Sequence, residues 1–87
     1  MYDRESLYRY LYSKCDQNNV IAIKQGEIAK EWGMSYQRLS GIMKEFVDLG
    51  MVEKIRHKWV CLYDPDKIPW DRFRALRKEY MAAQRDA

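Results

Sequence analysis

No apolar run in this sequence approaches the ~20 residues that a membrane-spanning helix needs. The opening Met1-Tyr2-Asp3-Arg4-Glu5 is charged where a signal peptide would be apolar. Neither a transmembrane protein nor a secreted precursor is expected, and a cytoplasmic setting is. Cysteine is scarce. Cys15 and Cys61 lie far apart without a spacing motif, and they read as buried free thiols in a reducing compartment, with a Cys15–Cys61 disulfide as the alternative. His57 is the sole histidine, and one histidine with two distant cysteines makes no metal site. The sequence has no Ser/His/Asp set, no glycine-rich phosphate loop and no carboxylate pair in an apolar setting. An enzyme is therefore not expected, and no catalytic residue, cofactor, metal or small-molecule ligand is assigned. Internal repeats, low-complexity segments and Gly/Ser linkers are also missing, and 87 residues hold a single small domain.

What is present is an ordinary globular balance, 47% hydrophobic and 33% charged. A core of this size needs aromatic mass, and 14% Phe, Trp and Tyr supplies it. The net charge of +3 is mildly basic, compatible with nucleic acid without demanding it, so the placement of the charges matters more than their sum.

Between Asp3 and Cys15 the apolar positions Leu7, Tyr8, Leu11, Tyr12 and Cys15 fall on one face of a helix. Asp16-Gln17-Asn18-Asn19 is a turn cluster, and Val20-Ile21-Ala22-Ile23 reads as a short buried strand. Two helices follow. Ile28, Ala29 and Trp32 face one way in the first, which Gly33 closes. Ser35 caps the second, which carries Leu39, Ile42, Met43, Phe46 and Val47 and ends at Leu49-Gly50. Met51-Val52 and Trp59 to Tyr63 are strand-rich, with Arg56-His57-Lys58 as a basic hairpin tip. Asp64-Pro65 is a cap with proline, and Pro69 opens a last helix to about Arg85 with the stripe Trp70, Phe73, Leu76 and Tyr80.

Residues 25 to 44 meet the demands of a helix–turn–helix. Ala29 is small where two helices must approach, Gly33 suits a positive φ in the turn, and Ile28, Trp32, Met34, Leu39 and Ile42 can plug the angle. An ordinary helical hairpin with a glycine cap is the bland alternative. Residues 20 to 68 resemble the DNA-binding domain of the cyclic-AMP receptor and fumarate–nitrate regulator family. The resemblance runs through Glu27-Ile28-Ala29, Gly33, Ser35-Tyr36-Gln37-Arg38, Ile42-Met43-Lys44, Leu49-Gly50-Met51-Val52-Glu53 and the exit Leu62 to Ile68. Winged-helix domains of other regulators, small phase-variation and multidrug-resistance types among them, are similar to a comparable degree. The chain shows neither that family's sensor barrel nor its long dimerisation helix, so no effector nucleotide is implied. Lys24 stands where the family often has Thr. Tyr36, Gln37 and Gly41 stand where it has its base-reading Arg/Glu pair and later Arg, so its target sequence does not carry over.

The fold class expected is α+β and mainly helical: a winged helix-turn-helix over residues 1–68, with a three-helix core and a small antiparallel sheet of two or three strands. An additional helix over 69–87 packs on the first helix or on a dimer partner. The function expected is sequence-specific binding of double-stranded DNA by a small transcription regulator, with a recognition helix over 35–49 in the major groove. Tyr36, Gln37 and Arg38 are the candidate base readers: Gln37 suits adenine, Arg38 guanine or phosphate, and Tyr36 a thymine methyl or phosphate. Ser35, Ser40 and Lys44, with Lys54, Arg56, His57 and Lys58 of a basic wing over 53–60, are candidate backbone contacts. Each has a bland counterpart, such as Tyr36 packing on the wing, Arg38 as a solvated charge, or lysines protecting a hairpin edge. The last helix carries five cations against three carboxylates. A homodimer on a pseudo-palindrome, through the first and last helices, is the oligomer expected. The alternatives are a protein-interaction adaptor on the same fold and a replication or plasmid-maintenance factor that binds DNA and recruits a partner.

Overall fold

The computed structural model describes residues 3–86, with side chains to Gln84. Met1 and Tyr2 of the charged opening, and the Arg85 and Asp86 side chains counted in the last helix's charge, lie outside the described residues. Among these residues the chain is a mainly helical α+β domain of four α-helices and one two-stranded antiparallel sheet. The order is α1 (Arg4–Ser13), α2 (Gln25–Glu31), α3 (Tyr36–Asp48), β1 (Val52–Ile55), β2 (Lys58–Cys61), a 3-10 turn (Pro65–Lys67) and α4 (Trp70–Asp86). No helix among the described residues is long and apolar enough to cross a membrane.

Local chemistry sets most of the boundaries. Asp3 caps α1 by accepting from the Glu5 N–H, and Leu7, Tyr8 and Leu11 of α1 are fully buried. The link between α2 and α3 depends on Gly33, whose φ is 63°. In that left-handed conformation Gly33 N–H donates to Lys30 O at 3.2 Å and Met34 N–H to Ala29 O at 2.9 Å, closing the end of α2. Ser35 Oγ then accepts from the Arg38 N–H at 3.1 Å and starts α3. Gly50 repeats the device with φ 78°: Met51 N–H donates to Phe46 O at 2.9 Å, and the chain turns directly into β1. A Cβ on Gly33 would meet nothing within 4 Å, so Gly33→Ala isolates the cost of the backbone conformation. It is expected to lower stability by about 1–2 kcal/mol, and Gly33→Asn by clearly less, in chemical denaturation. Equal losses for the two variants would place the cost in packing instead.

The core is formed where α1, α3 and the hairpin meet. Leu39, Ile42, Met43 and Phe46 of α3 pack with Ile28 and Ala29 of α2 and with Val52 and Cys61 of the sheet. The Tyr8 hydroxyl lies at the foot of the hairpin. It donates to Tyr63 O at 2.7 Å, with Met51 O at 3.3 Å, and accepts from the Tyr63 N–H at 3.3 Å. One buried phenol thus ties α1 to both ends of the hairpin, and burial raises its proton affinity further.

Two expectations change. Val20 to Ile23 is not a buried strand: Ile21 bridges Cys15 and Val20 bridges Val60, and both are only half-buried. The Asp16 carboxylate explains this, because Oδ1 accepts from the Asn18 and Val20 N–H groups and folds the chain into a turn ending at Val20. In the hairpin the pairing runs from Val52↔Cys61 to Ile55↔Lys58, so Lys58 is a strand residue and the turn is Arg56-His57 alone. Leu62 and Tyr63 fall outside β2. Arg56 adopts φ 59°, the corner usually given to glycine in a two-residue hairpin loop.

The last helix packs within the chain. Phe73 is buried against Phe46 and Trp70, and Trp70 meets Tyr8 edge-on at 5.9 Å. Arg77 of α4 and Arg4 of α1 both bind the buried Glu45 of α3, and Tyr80 donates to Asp48 at 2.7 Å.

Candidate nucleic-acid interface

Helix α3 buries one side and offers three exposed flanks, whose neighbours differ. At about 100° per residue, Gln37, Gly41, Lys44 and Asp48 lie opposite the core residues Leu39, Ile42, Met43 and Phe46. All four are exposed. Tyr36 and Ser40 lean toward the hairpin, whereas Arg38 and Glu45 lean toward α1 and α4. Tyr36 is 59% exposed, so packing against the hairpin does not hide it.

Between α3 and the hairpin lies a groove of about 710 Å³. Tyr36, Ser40 and Lys44 line one wall, Lys54, His57, Lys58 and Trp59 the other, and Lys24 and Gln25 one end. Ile23, Ile28, Met43 and Val47 contribute apolar surface. Four lysines and a histidine border the groove, and none of its lining residues is a carboxylate. Strand alternation accounts for part of this. Lys54 pairs with Trp59 on one face of the hairpin, whereas Glu53 pairs with Val60 on the other. The Lys54 ammonium sits 4.9 Å from the Trp59 ring centroid, which orients the charge over the groove. The end wall is held by backbone bonds: Ile21 N–H donates to Trp59 O at 2.8 Å and Cys61 N–H to Asn19 O at 2.9 Å.

Three carboxylates away from the groove are paired with arginines. Arg4–Glu45, Arg77–Glu45, Arg74–Glu5 and Arg9–Asp66 join α1, α3, α4 and the 3-10 turn, and the groove lysines take part in none of these pairs.

The structure thus brings Tyr36, Ser40, Lys44, Lys54, His57 and Lys58 around one groove. Ser35 is spent on the α3 cap, although exposed. Gln37 stands on the outermost stripe, and Arg56 at the hairpin turn. Arg38 is set apart, in a separate hollow with Arg4, Trp70, Arg74 and Arg77 on the opposite flank of α3. Lys24, Gln25 and Trp59 are additions that the sequence reading missed. Their position beside the hairpin depends on the Ile21–Trp59 contact, which links residues distant in sequence. The two thiols lie away from this surface. Burial pushes the Cys61 thiol up to about 12 and raises Cys15 too, which favours the protonated form of both. Both are free, but the expected burial holds only for Cys61, and Cys15 is half-buried.

No protein-family model, curated protein or solved structure matches this chain.

Proposed function

We propose that the chain is a winged helix-turn-helix protein that binds double-stranded DNA with sequence preference. Helix α3 enters the major groove, and the β1–β2 hairpin acts as the wing on the flanking backbone. The observation that carries this reading is the carboxylate-free groove between α3 and the hairpin, bordered by four lysines and continuous with an exposed polar helix face. A phosphodiester strand is the polyanion such a groove suits, with its cations neutralising phosphates while the outer stripe of α3 meets base edges. The element order supports the same reading, because a helix following a tight glycine turn is directly succeeded by a hairpin on its flank.

Binding of random-sequence duplex at about 50 mM salt, followed by selection from a random pool, tests the reading. Retention on heparin and a gel shift are expected, and their absence would turn the assignment toward a protein-interaction adaptor. Gln37→Ala is expected to lower discrimination at one base pair by about 1–3 kcal/mol. Arg38→Ala decides that residue's role through the same selection. A changed sequence preference places Arg38 on a base edge, weaker binding with an unchanged preference places it on phosphate, and no change in either leaves it outside the interface, as a solvated charge.

A further inference from the structure

Two features of the groove between α3 and the hairpin go unused by a duplex. The groove has apolar lining, with Ile23 and Val47 half-buried at its surface. It also has an aromatic side chain on each wall, Tyr36 on α3 and Trp59 on β2. The Tyr36 ring is 59% exposed, and Trp59 is half-buried. A base inside a duplex has both faces covered by its stacked neighbours and shows a protein only its edges. The sugar–phosphate strand beside it has charge to offer the lysines, but no flat apolar surface to offer the rings. An unpaired base has such a surface, whatever its sequence.

We propose, resting on the nucleic-acid reading of this groove, that it also binds single-stranded nucleic acid, with the face of an unpaired base against Tyr36 and the neighbouring phosphates on the lysines. A cationic groove combined with aromatic platforms is the arrangement that holds a single strand. The cations are spread as a chain of phosphates requires. Lys24 stands at one end, Lys44 on the α3 wall, and Lys54 and Lys58 on the hairpin wall, with no carboxylate among the lining residues. The Lys54 ammonium lies 4.9 Å from the Trp59 ring centroid, so cation and aromatic surface are adjacent on that wall. An unpaired base also reaches the Tyr36 ring without the cost of extrusion from a duplex.

Fluorescence anisotropy on the full chain tests this, with a labelled oligothymidylate of about 12 nucleotides beside a duplex of the same length, at about 50 mM salt. Both are expected to bind. Tyr36→Ala should weaken oligothymidylate binding by about 5- to 100-fold, the loss of one base stack, and duplex binding by no more than about threefold. Tyr36→Phe keeps the ring and should stay within about twofold of the parent on the oligothymidylate. Since Tyr36 is exposed, circular dichroism should show the fold retained in both variants. A parent that fails to bind the oligothymidylate, or a Tyr36→Ala variant that binds it as the parent does, overturns the proposal. So does an equal loss on both ligands, which makes Tyr36 a backbone contact. Duplex binding without oligothymidylate binding overturns this proposal and leaves the duplex reading standing. Oligothymidylate binding without duplex binding does the reverse.

Discussion

Replacing Glu45 by alanine is expected to cost about 2–3 kcal/mol of stability, on the order of 10 °C in Tm for a domain of this size. The Glu45 side chain is only 7% exposed and is held by two arginines from different helices. Arg4 Nε lies 2.9 Å and Arg77 Nε 2.8 Å from the same oxygen, and a second Arg77 nitrogen reaches the other oxygen at 3.3 Å. Alanine would leave two guanidinium groups without that partner. The loss stays below that of a fully buried pair because Arg77 retains 29% exposure and water can compensate in part. The pH dependence gives a sharper test. Burial pushes the Glu45 carboxyl up, but the hydrogen bonds from Arg4 and Arg77 outweigh it and hold the group below the ordinary glutamate range. A carboxyl depressed by folding adds stability above its unfolded value of about 4.3, and this is lost as pH falls through the lower folded value. Urea titrations should therefore show the gap between the parent and Glu45→Gln widest near neutrality and shrinking in acid. A gap independent of pH would mean that the carboxylate charge contributes nothing.

The second large effect is on DNA binding. The combined variant Lys44→Ala, Lys54→Ala and Lys58→Ala is expected to flatten the dependence of log affinity on log salt by about 2.7, at roughly 0.9 per phosphate contact removed. The same slope implies a loss on the order of 10²–10³-fold near 0.1 M salt. All three lysines are exposed and belong to none of the ion pairs that join the helices, and only Lys54 gives up a contact, with the Trp59 ring, so stability should fall by no more than about 1.5 kcal/mol. Fluorescence anisotropy on a fixed duplex across several salt concentrations reads both quantities. A variant that keeps the parental slope would remove the groove from the interface.

The parts of the fold legible in the sequence are those governed by short-range chemistry. Gly33 and Gly50 end helices because only a left-handed residue lets the following N–H groups reach back to the helix carbonyls, and Ser35 starts one because its hydroxyl reaches three residues on. The apolar spacing of α1 and α3 named Leu7, Tyr8, Leu11, Leu39, Ile42, Met43 and Phe46, which are buried, together with Tyr12, Cys15 and Val47, which are only half-buried. Val20 to Ile23 misled because its composition suits a strand, while the Asp16 carboxylate, by bonding backbone N–H groups, made a turn that left only single bridges.

The candidate site was legible as a set of residue types and only partly as a surface. Tyr36, Ser40 and Lys44 share a groove with the hairpin cations, but Arg38, two residues from Tyr36, faces the opposite flank. Nothing in the linear order distinguishes these flanks until the hairpin is placed on one side of α3 and α4 on the other. Lys24 was visible as a charge, without any indication that it borders the same groove as Lys58.

From the sequence alone come the helices, their glycine and serine boundaries, the basic hairpin and the polar outer face of α3, all set by contacts within a few residues. Tertiary structure alone decided that Glu45 is a buried anchor, that α4 lies along α1 and α3, and that lysines from three separate segments border one carboxylate-free groove. These outcomes depend on pairings across dozens of residues, where charge and packing select partners that no local periodicity encodes.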